Sequence, residues 1–403
     1  MNILFLSLER YWSITEHKLY TDLLRKFIEG RHNVYSLSPV ERREHKKGGV
    51  IKEGNSTIIK VNIGNIQKTN IVEKGISTLL IERQYLAAIR KHLNHVKFDL
   101  VLYPTPPITF VNVVEYIKKR DGAYAYLMLK DIFPQNAVDI GMMTKDGIKG
   151  LLYTYFRNKE KKLYAVSDKI GCMSQANVDY VLRHNAEVSP DKVEICPNCI
   201  EVQDFRLSDD EKIKMREKYG IPIDKKVFVY GGNLGRPQGI PFIIECLRNY
   251  KNDEAYFLIV GDGTEFGKLD NYVKTEHPGN VKLMKRLPKD DYDRMIAACD
   301  VGLIFLDHSF SIPNFPSRLL AYMQAGLPVI AATDPNTDIG NVITEGGFGW
   351  WCESNNVETF EKIIDESIKS DLSEMGELAF SNLKRNWHVE KICKDLSHTL
   401  GWE

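Results

Sequence analysis

Short apolar runs that alternate with stretches of helical period constrain this chain more than any other feature. Asp99–Tyr103 reads Asp-Leu-Val-Leu-Tyr and is stopped by Pro104, Pro106 and Pro107. Strands that are apolar on both faces belong in a parallel sheet covered by helices on both sides. The first half of the chain offers Asn2–Leu8, a helix over His17–Glu29 ended by Gly30, then Asn33–Leu37, Asp99–Tyr103, Tyr124–Leu129, Lys169–Met173 and Val193–Cys196. After the polar linker Pro222–Lys226 the pattern restarts with Val227–Gly231, Tyr256–Val260, Val281–Met284, Val301–Phe305 and Val329–Ala331. The expected fold class is α/β, with two tandem Rossmann-like doubly wound domains and a hinge near Pro197–Arg206. A length of 403 residues suits two such domains.

Composition removes other classes. Hydrophobic residues are 43% and charged residues 27%, as in globular proteins generally. No apolar stretch is long enough to cross a bilayer, and the N-terminal run reads as a buried strand, not a signal peptide. Seven scattered cysteines suggest free thiols in a reducing cytoplasm. Net charge is zero, but residues 1–200 hold 30 Lys+Arg against 21 Asp+Glu, and the remainder 24 against 33. Either this is chance variation between two solvated surfaces, or the first half faces an anionic surface such as lipid headgroups or a lipid-linked phosphate. A pI near 7.1 and the lack of a basic recognition helix argue against nucleic acid. Residues 148–164 mix aromatic and apolar residues with five cations from Lys149 onward, which reads as a membrane-surface helix or an ordinary packing helix. Glu41–Lys47 is a charged loop, mobile or flanking a substrate entrance.

Ligands of open parallel sheets bind beyond the carboxyl ends of the strands, and three second-half loops lie there. Gly231–Gly239 reads Gly-Gly-Asn-Leu-Gly-Arg-Pro-Gln-Gly; it is either a phosphate loop with Arg236 as counter-charge or a plain strand-to-helix turn. Gly261-Asp262-Gly263 is a turn with a carboxylate. In Asn314–Ala331, Ser317 reads as an N-cap that leaves the N–H groups of Arg318, Leu319 and Leu320 free for an anion, with Arg318 adding a full charge. Cys196-Pro-Asn-Cys199 reads as two buried thiols more readily than as a redox pair. His308 is a donor contact or a solvated loop residue, and His17 a helix-packing residue. No metal cluster with ligand spacing is visible.

The run Pro316-Ser-Arg-x-x-x-Tyr-Met-x-Ala-Gly-x-Pro-Val-Ile-Ala331 resembles the donor-binding helix of two-domain GT-B glycosyltransferases of the retaining family 4. Other pieces follow in the family's order: Val193–Asn198, Gly231–Gly239, Val260–Gly263, Ala297–Gly302, and Lys130-Asp131-Ile-Phe-Pro134, which is similar to the Asp-x-x-Pro loop of the branch that builds bacterial capsule and O-antigen polysaccharides. The resemblance implies an acceptor-binding domain over 1–200, completed by a returning C-terminal helix over 384–403, and a nucleotide-sugar domain over 201–383.

It further implies donor-site residues Gly232, Asn233, Gly235, Gln238, Gly261, Asp262, Gly263, Arg286, Leu287, His308, Ser317, Leu319 and Tyr322. Acceptor-side residues would be Tyr11, Trp12 and Lys130, with Asp131, Arg236 and Arg318 in catalytic roles. Arg236 and Arg318 would stabilise the departing diphosphate, and Asp131 would orient or deprotonate the acceptor hydroxyl; a helix cap is the other reading of Asp131. The implied donor is a UDP-sugar, possibly N-acetylated, the acceptor a polyprenyl-diphosphate-linked or growing glycan. No cofactor or metal is expected, and the location is cytoplasmic, with peripheral contact at the inner face of the plasma membrane. Two family glutamates are replaced by Ala321 and Pro313, which leaves the ribose contact open. A sugar-nucleotide epimerase of similar fold, or a non-catalytic partner of another transferase, are the competing readings.

Overall fold

The computed structural model describes residues 1–67 and 69–402. Glu403, at the end of the 384–403 segment, lies outside them, as do the side chains of Ile148 and Lys149 at the start of the candidate surface helix. The chain divides into two units, Met1–Glu201 with Val389–Glu403, and Val202–His388. Each is a helix-covered parallel sheet, the α/β class expected from the strand pattern.

The first unit runs β1 (Asn2–Leu6), α1 (Leu19–Glu29), β2 (Asn33–Glu41), β3 (Gly49–Glu53), β4 (Ser56–Ile63), α2 (Ile71–His92), β5 (Leu100–Pro104), α3 (Val111–Asp121), β6 (Tyr124–Leu129), α4 (Gln135–Asp139), α5 (Gly147–Val166), β7 (Lys169–Cys172), α6 (Gln175–His184) and β8 (Val193–Ile195). Its sheet order is β3-β4-β2-β1-β5-β6-β7-β8, with only β3 antiparallel to its neighbour. The strand order reverses direction between β1 and β5. All five residues of β5 are buried, which is why that run could be read without its context. α2 begins where the Asn70 side chain accepts from Glu73 N at 2.8 Å, satisfying one of the orphan donors of a helix start.

The second unit runs α7 (Asp209–Tyr219), β9 (Lys226–Asn233), α8 (Ile240–Asn249), β10 (Ala255–Asp262), α9 (Phe266–Glu276), β11 (Val281–Lys285), α10 (Lys289–Ile296), β12 (Val301–Phe305), α11 (Arg318–Gln324), β13 (Val329–Thr333), α12 (Ile339–Glu345), β14 (Gly349–Glu353), α13 (Val357–Lys369) and α14 (Leu372–Asn386). The order β11-β10-β9-β12-β13-β14 is wholly parallel, with its reversal between β9 and β12. Phe228, Tyr230, Phe257, Leu303 and Phe305 anchor one face of its core.

The chain then returns. α15 (Val389–Thr399) packs Val389, Ile392 and Leu396 into the first unit's core with Leu23, Leu24 and Phe27. Val389 N donates to Ile200 O at 3.0 Å, so the return begins at 389 and not at 384; residues 384–386 finish α14. No helix among the described residues is long and apolar enough to cross a membrane.

Candidate active site

At the reversal point of the second sheet, β9 opens directly into Gly231–Gly239. This loop is stitched to the neighbouring turn: Leu234 N donates to Asp262 O at 3.0 Å, and Glu265 N to Leu234 O at 2.9 Å. The close approach is why both turn residues flanking Asp262 are glycine. A methyl at Gly263 would lie 2.5 Å from the Leu234 carbonyl carbon and 2.7 Å from its amide nitrogen, and one at Gly261 would strike the Gly232 carbonyl oxygen. Gly263→Ala should therefore cost about 3 kcal/mol, since backbone cannot move aside as a side chain can. A thermal melt checks this, and an unchanged melting temperature would refute the stitched geometry.

Arg318 reaches into the same place. Its guanidinium lies against Gly232, 3.6 Å from where a Cβ would stand, and its Cζ sits 4.4 Å from the Tyr230 ring centroid. Nη1 is buried with no hydrogen-bond partner among the described residues. A buried cation nitrogen left unpaired is costly, and an anion is the natural complement. Arg236 stands nearby in sequence on the same loop, exposed. Asn233 is exposed at the end of β9, while Gly235 is buried, donating its N–H to Gln238 Oε1 at 3.1 Å.

Several expected ligand contacts take other work. Gln238 is buried, and its Oε1 accepts from Asn233 Nδ2 as well as from Gly235 N, both at 3.1 Å; it shapes the loop from inside. Tyr322 is fully buried; its hydroxyl accepts from Gly231 N and donates to Leu303 O, both at 3.1 Å. It ties the β9 loop to β12 and so positions the site without facing it. Leu319 is a core residue, 0% exposed. Ser317 makes no side-chain cap, and the N–H groups of Leu319 and Leu320 donate to Pro316 O and Ser317 O at 3.2 and 3.1 Å. The expected row of free N–H groups is thus mostly spent, and the Arg318 side chain carries the charge of the cradle.

Arg286 and Leu287 follow β11 at the sheet edge, exposed and half-buried. Asp262 is exposed and its Oδ1 accepts from Gly263 N at 2.9 Å. His308, beyond β12, contacts Asn355 Nδ2 through Nε2 at 3.1 Å, and its Nδ1 lies 3.7 Å from Glu353 Oε2. Beside it in this unit is a residue the sequence pattern did not single out, Asp334, at the carboxyl end of β13. Burial pushes its carboxyl up to about 6, and its Oδ2 is buried without a partner.

In the first unit, Asp131 follows β6. Thr105 Oγ1 accepts from Asp131 N at 3.1 Å and from Lys130 N at 2.9 Å, holding the loop to the end of β5. Asn136 Nδ2 donates to Asp131 Oδ1 at 2.7 Å. Burial nevertheless pushes the carboxyl up to about 6, a value suited to a base working near neutral pH. Lys130 is turned elsewhere: its ammonium donates to Cys196 O at 2.7 Å, and burial lowers its pKa. Tyr11 is 0% exposed and belongs to the core of the first unit. Trp12 remains half-buried, with Lys46 Nζ 4.7 Å and Lys60 Nζ 4.5 Å from its ring centroid. Glu9, also beyond β1, was missed: burial pushes it up to about 7 and Oε2 is buried without a partner. A charge straight after an apolar strand at a reversal point was the available signal.

The fold also assembles a cluster that the linear spacing hid. His17, Asp22 and Glu201 bring their ligand atoms within 4.8 Å. Arg25 Nη2 occupies that cluster, 3.0 Å from His17 Nδ1 and 2.9 Å from Glu201 Oε2, with Asp22 Oδ1 also bonded. A guanidinium there already supplies the compensating charge. His17 precedes α1 and is part of this network, not of the helix packing. All seven cysteines are free, Cys196 and Cys199 among them, and burial raises both thiol pKa values.

The comparisons with known proteins fall on this geometry. The family model described as glycosyl transferases group 1 matches residues 211–380. "Probable glycosyltransferase WbjE" of Pseudomonas aeruginosa is 26% identical over 79% of this chain and 78% of its own length. WcaI of Escherichia coli, named for colanic acid biosynthesis, is 23% identical over 68% and 67%. Among solved structures, Anabaena Alr3699/HepE in complex with UDP superposes over 100% of both chains with a TM-score of 0.70 at 16% identity. Sucrose-phosphate synthase of Thermosynechococcus elongatus reaches 0.75 at 13% identity, over 99% and 98%. Most of the second unit thus carries the sequence pattern of the glycosyl transferases group 1, and the chain as a whole has the two-sheet GT-B fold of solved glycosyltransferases.

Proposed function

We propose that this chain is a glycosyltransferase that moves a sugar from a UDP-sugar to a lipid-linked or growing glycan in surface polysaccharide synthesis, with retention of anomeric configuration. The observation that carries the reading is the buried Nη1 of Arg318, without a hydrogen-bond partner among the described residues, in a guanidinium lying against Gly232 at the reversal point of the second sheet. A diphosphate fits a cationic, glycine-lined strand end. The Anabaena neighbour's complex with UDP supports uridine as the base, and the relatives' names support polysaccharide synthesis.

In this reaction the bond from the anomeric carbon to the β-phosphate oxygen breaks, and one to the acceptor oxygen forms on the same face. Arg318 and Arg236 would hold the charge that develops on the leaving diphosphate. The acceptor proton passes to that diphosphate oxygen, or to Asp131 Oδ2 if this carboxylate serves as base. No step calls on a metal. Incubation with UDP-sugars and an isoprenoid-diphosphate acceptor tests the reading: UDP release that depends on acceptor supports it, and the configuration of the product tests retention. Release without acceptor dependence would count against transfer.

We also propose peripheral contact with the cytoplasmic face of the membrane through α5. Leu151, Leu152 and Tyr155 are 73, 50 and 42% exposed. Three of its cations are already paired: Arg157 with Glu160, Lys159 with Glu82 and Lys161 with Glu187. Binding should therefore lean on apolar insertion with a modest ionic part. Flotation with anionic liposomes should decline only partly as salt rises. Absence of binding even at low salt would refute the contact.

A further inference from the structure

Beside the Arg318 cradle, on the side of β12, β13 and β14, polar groups are concentrated. These three strands are neighbours in the second sheet, so the loops that follow them stand side by side at its carboxyl edge. The first loop, residues 306–317, runs from β12 into Arg318 and is laid against the glycine loop, Asp307 N donating to Pro237 O at 2.9 Å. The second is fastened to the first. Asp334 Oδ1 accepts from Asn336 N at 2.9 Å and from Thr337 N at 3.1 Å. In turn Asn336 Nδ2 donates to Phe310 O at 2.6 Å, and Thr337 Oγ1 to Asn314 O. The third loop meets His308 through Asn355. Within this frame Asp334 Oδ2, Ser354 Oγ and His308 Nδ1 are buried without a hydrogen-bond partner among the described residues. Asp334 is 0% exposed and Ser354 5%, while the side chains of His308 and Glu353 are 39 and 44% exposed and form the open part. The Asp334 carboxyl feels the charge of His308, so the buried and the open groups belong to one cluster.

The three loops also carry one sign of charge. Residues 306–317, 334–338 and 353–356 contain Asp307, Asp334, Asp338 and Glu353 and no lysine or arginine. Glu353 faces His308, and among the described residues no lysine or arginine pairs with it or with Asp334. Unspent hydrogen-bonding capacity at a strand end suits a hydroxyl-bearing sugar, and a surplus of carboxylates repels an anionic one. We propose that these loops hold the donor's sugar and select it by charge: a neutral or amino-bearing sugar is accepted, and a hexuronate, whose C6 is a carboxylate, is rejected. Glu353 acts from the open side. Asp334 acts from below, adding its charge and setting the 306–317 loop through Asn336 and Thr337. The assignment rests on the transferase reading, since it names the class of sugar which that reaction's donor carries.

The test is titration calorimetry of the full chain with UDP and with pairs of donors that differ only at C6. The pairs are UDP-glucose and UDP-glucuronate, UDP-galactose and UDP-galacturonate, and UDP-N-acetylglucosamine and its uronate. Each uronate should bind at least tenfold more weakly than its neutral partner. Glu353→Lys should shrink that ratio at least tenfold, and Asp334→Asn, which keeps an oxygen for the two turn N–H groups, should shrink it as well. UDP affinity should stay as it was in both variants, which shows that the fold and the cradle are intact. Uronates that bind as tightly as their neutral partners would overturn the proposal, and so would a ratio that survives both variants; the transferase reading stands in either case. A fall in UDP affinity that matches the fall in sugar-nucleotide affinity in Asp334→Asn would make this residue a structural support and overturn its part in selection. Absence of UDP binding by the wild-type chain would instead overturn the transferase reading.

Discussion

Arg318→Ala should weaken UDP binding by about 1.5–3 kcal/mol, roughly 10- to 150-fold, the usual worth of a charge-assisted hydrogen bond. The effect belongs to this residue because its Nη1 is buried with no hydrogen-bond partner among the described residues. The same change should leave the melting temperature of the ligand-free chain near its starting value or above it, since it removes a buried charge with no carboxylate beside it among the described residues. A structural arginine behaves the other way, losing stability while ligand affinity holds. Arg318→Lys should recover little, because an ammonium has neither the fork of donors nor the flat face that lies on Tyr230. Calorimetry with UDP and a thermal melt on the same samples decide between the two patterns.

Asp131→Asn should separate activity from stability. Burial holds the carboxyl at about 6 against an ordinary 3.8. A rise of two units means that the ionised form costs the folded state on the order of 3 kcal/mol. For an acid with a raised pKa the sign is unfavourable at high pH. The folded state binds the extra proton between about pH 4 and 6, so stability falls with pH across that window and the cost is constant above it. Asparagine keeps an oxygen for Asn136 Nδ2 without the charge. At pH 7.5 the variant should therefore be more stable, by about 1–3 kcal/mol, while transfer falls about 100-fold or more if Asp131 is the base. Wild-type turnover should lose activity below about pH 6. A variant that melts lower and keeps its rate would make Asp131 a loop residue.

The strands that were legible in the sequence are the ones buried on both faces and ended by a hard stop. Tyr124–Leu129 and Val301–Phe305 have the boundaries expected of them. The β3–β4 hairpin and α2 were not visible. β3 is an edge strand with three of its five residues exposed and none buried, so it lacks the continuous apolar signature. α2 carries Ile76, Leu79 and Leu80 on its open face, which blurs the helical period. β14 was missed for the edge-strand reason as well. In the second unit, Arg318 and the glycine turns were singled out because their chemistry is local. Gln238 and Tyr322 could not, because a loop's need to satisfy its own N–H groups looks in sequence like a ligand's. Lys130 and Tyr11 were drawn inward by partners distant in the chain, Cys196 O and the core of the first sheet. Glu9 and Asp334 show the converse: only burial, which sequence does not display, makes their carboxyls unusual.

The central claim is that the reversal point of the second sheet is a nucleoside-diphosphate cradle. The most direct measurement is a thermal-shift screen of the purified chain with UDP, GDP, dTDP, CMP and their sugar conjugates. A ligand at 100 times its dissociation constant adds about 2.7 kcal/mol of stability. The account predicts a clear upward shift with UDP and its sugars, reduced in Arg318→Ala. No shift with any of the nucleotides would contradict it and would make Ala321 and Pro313 the marks of a chain that has lost donor binding.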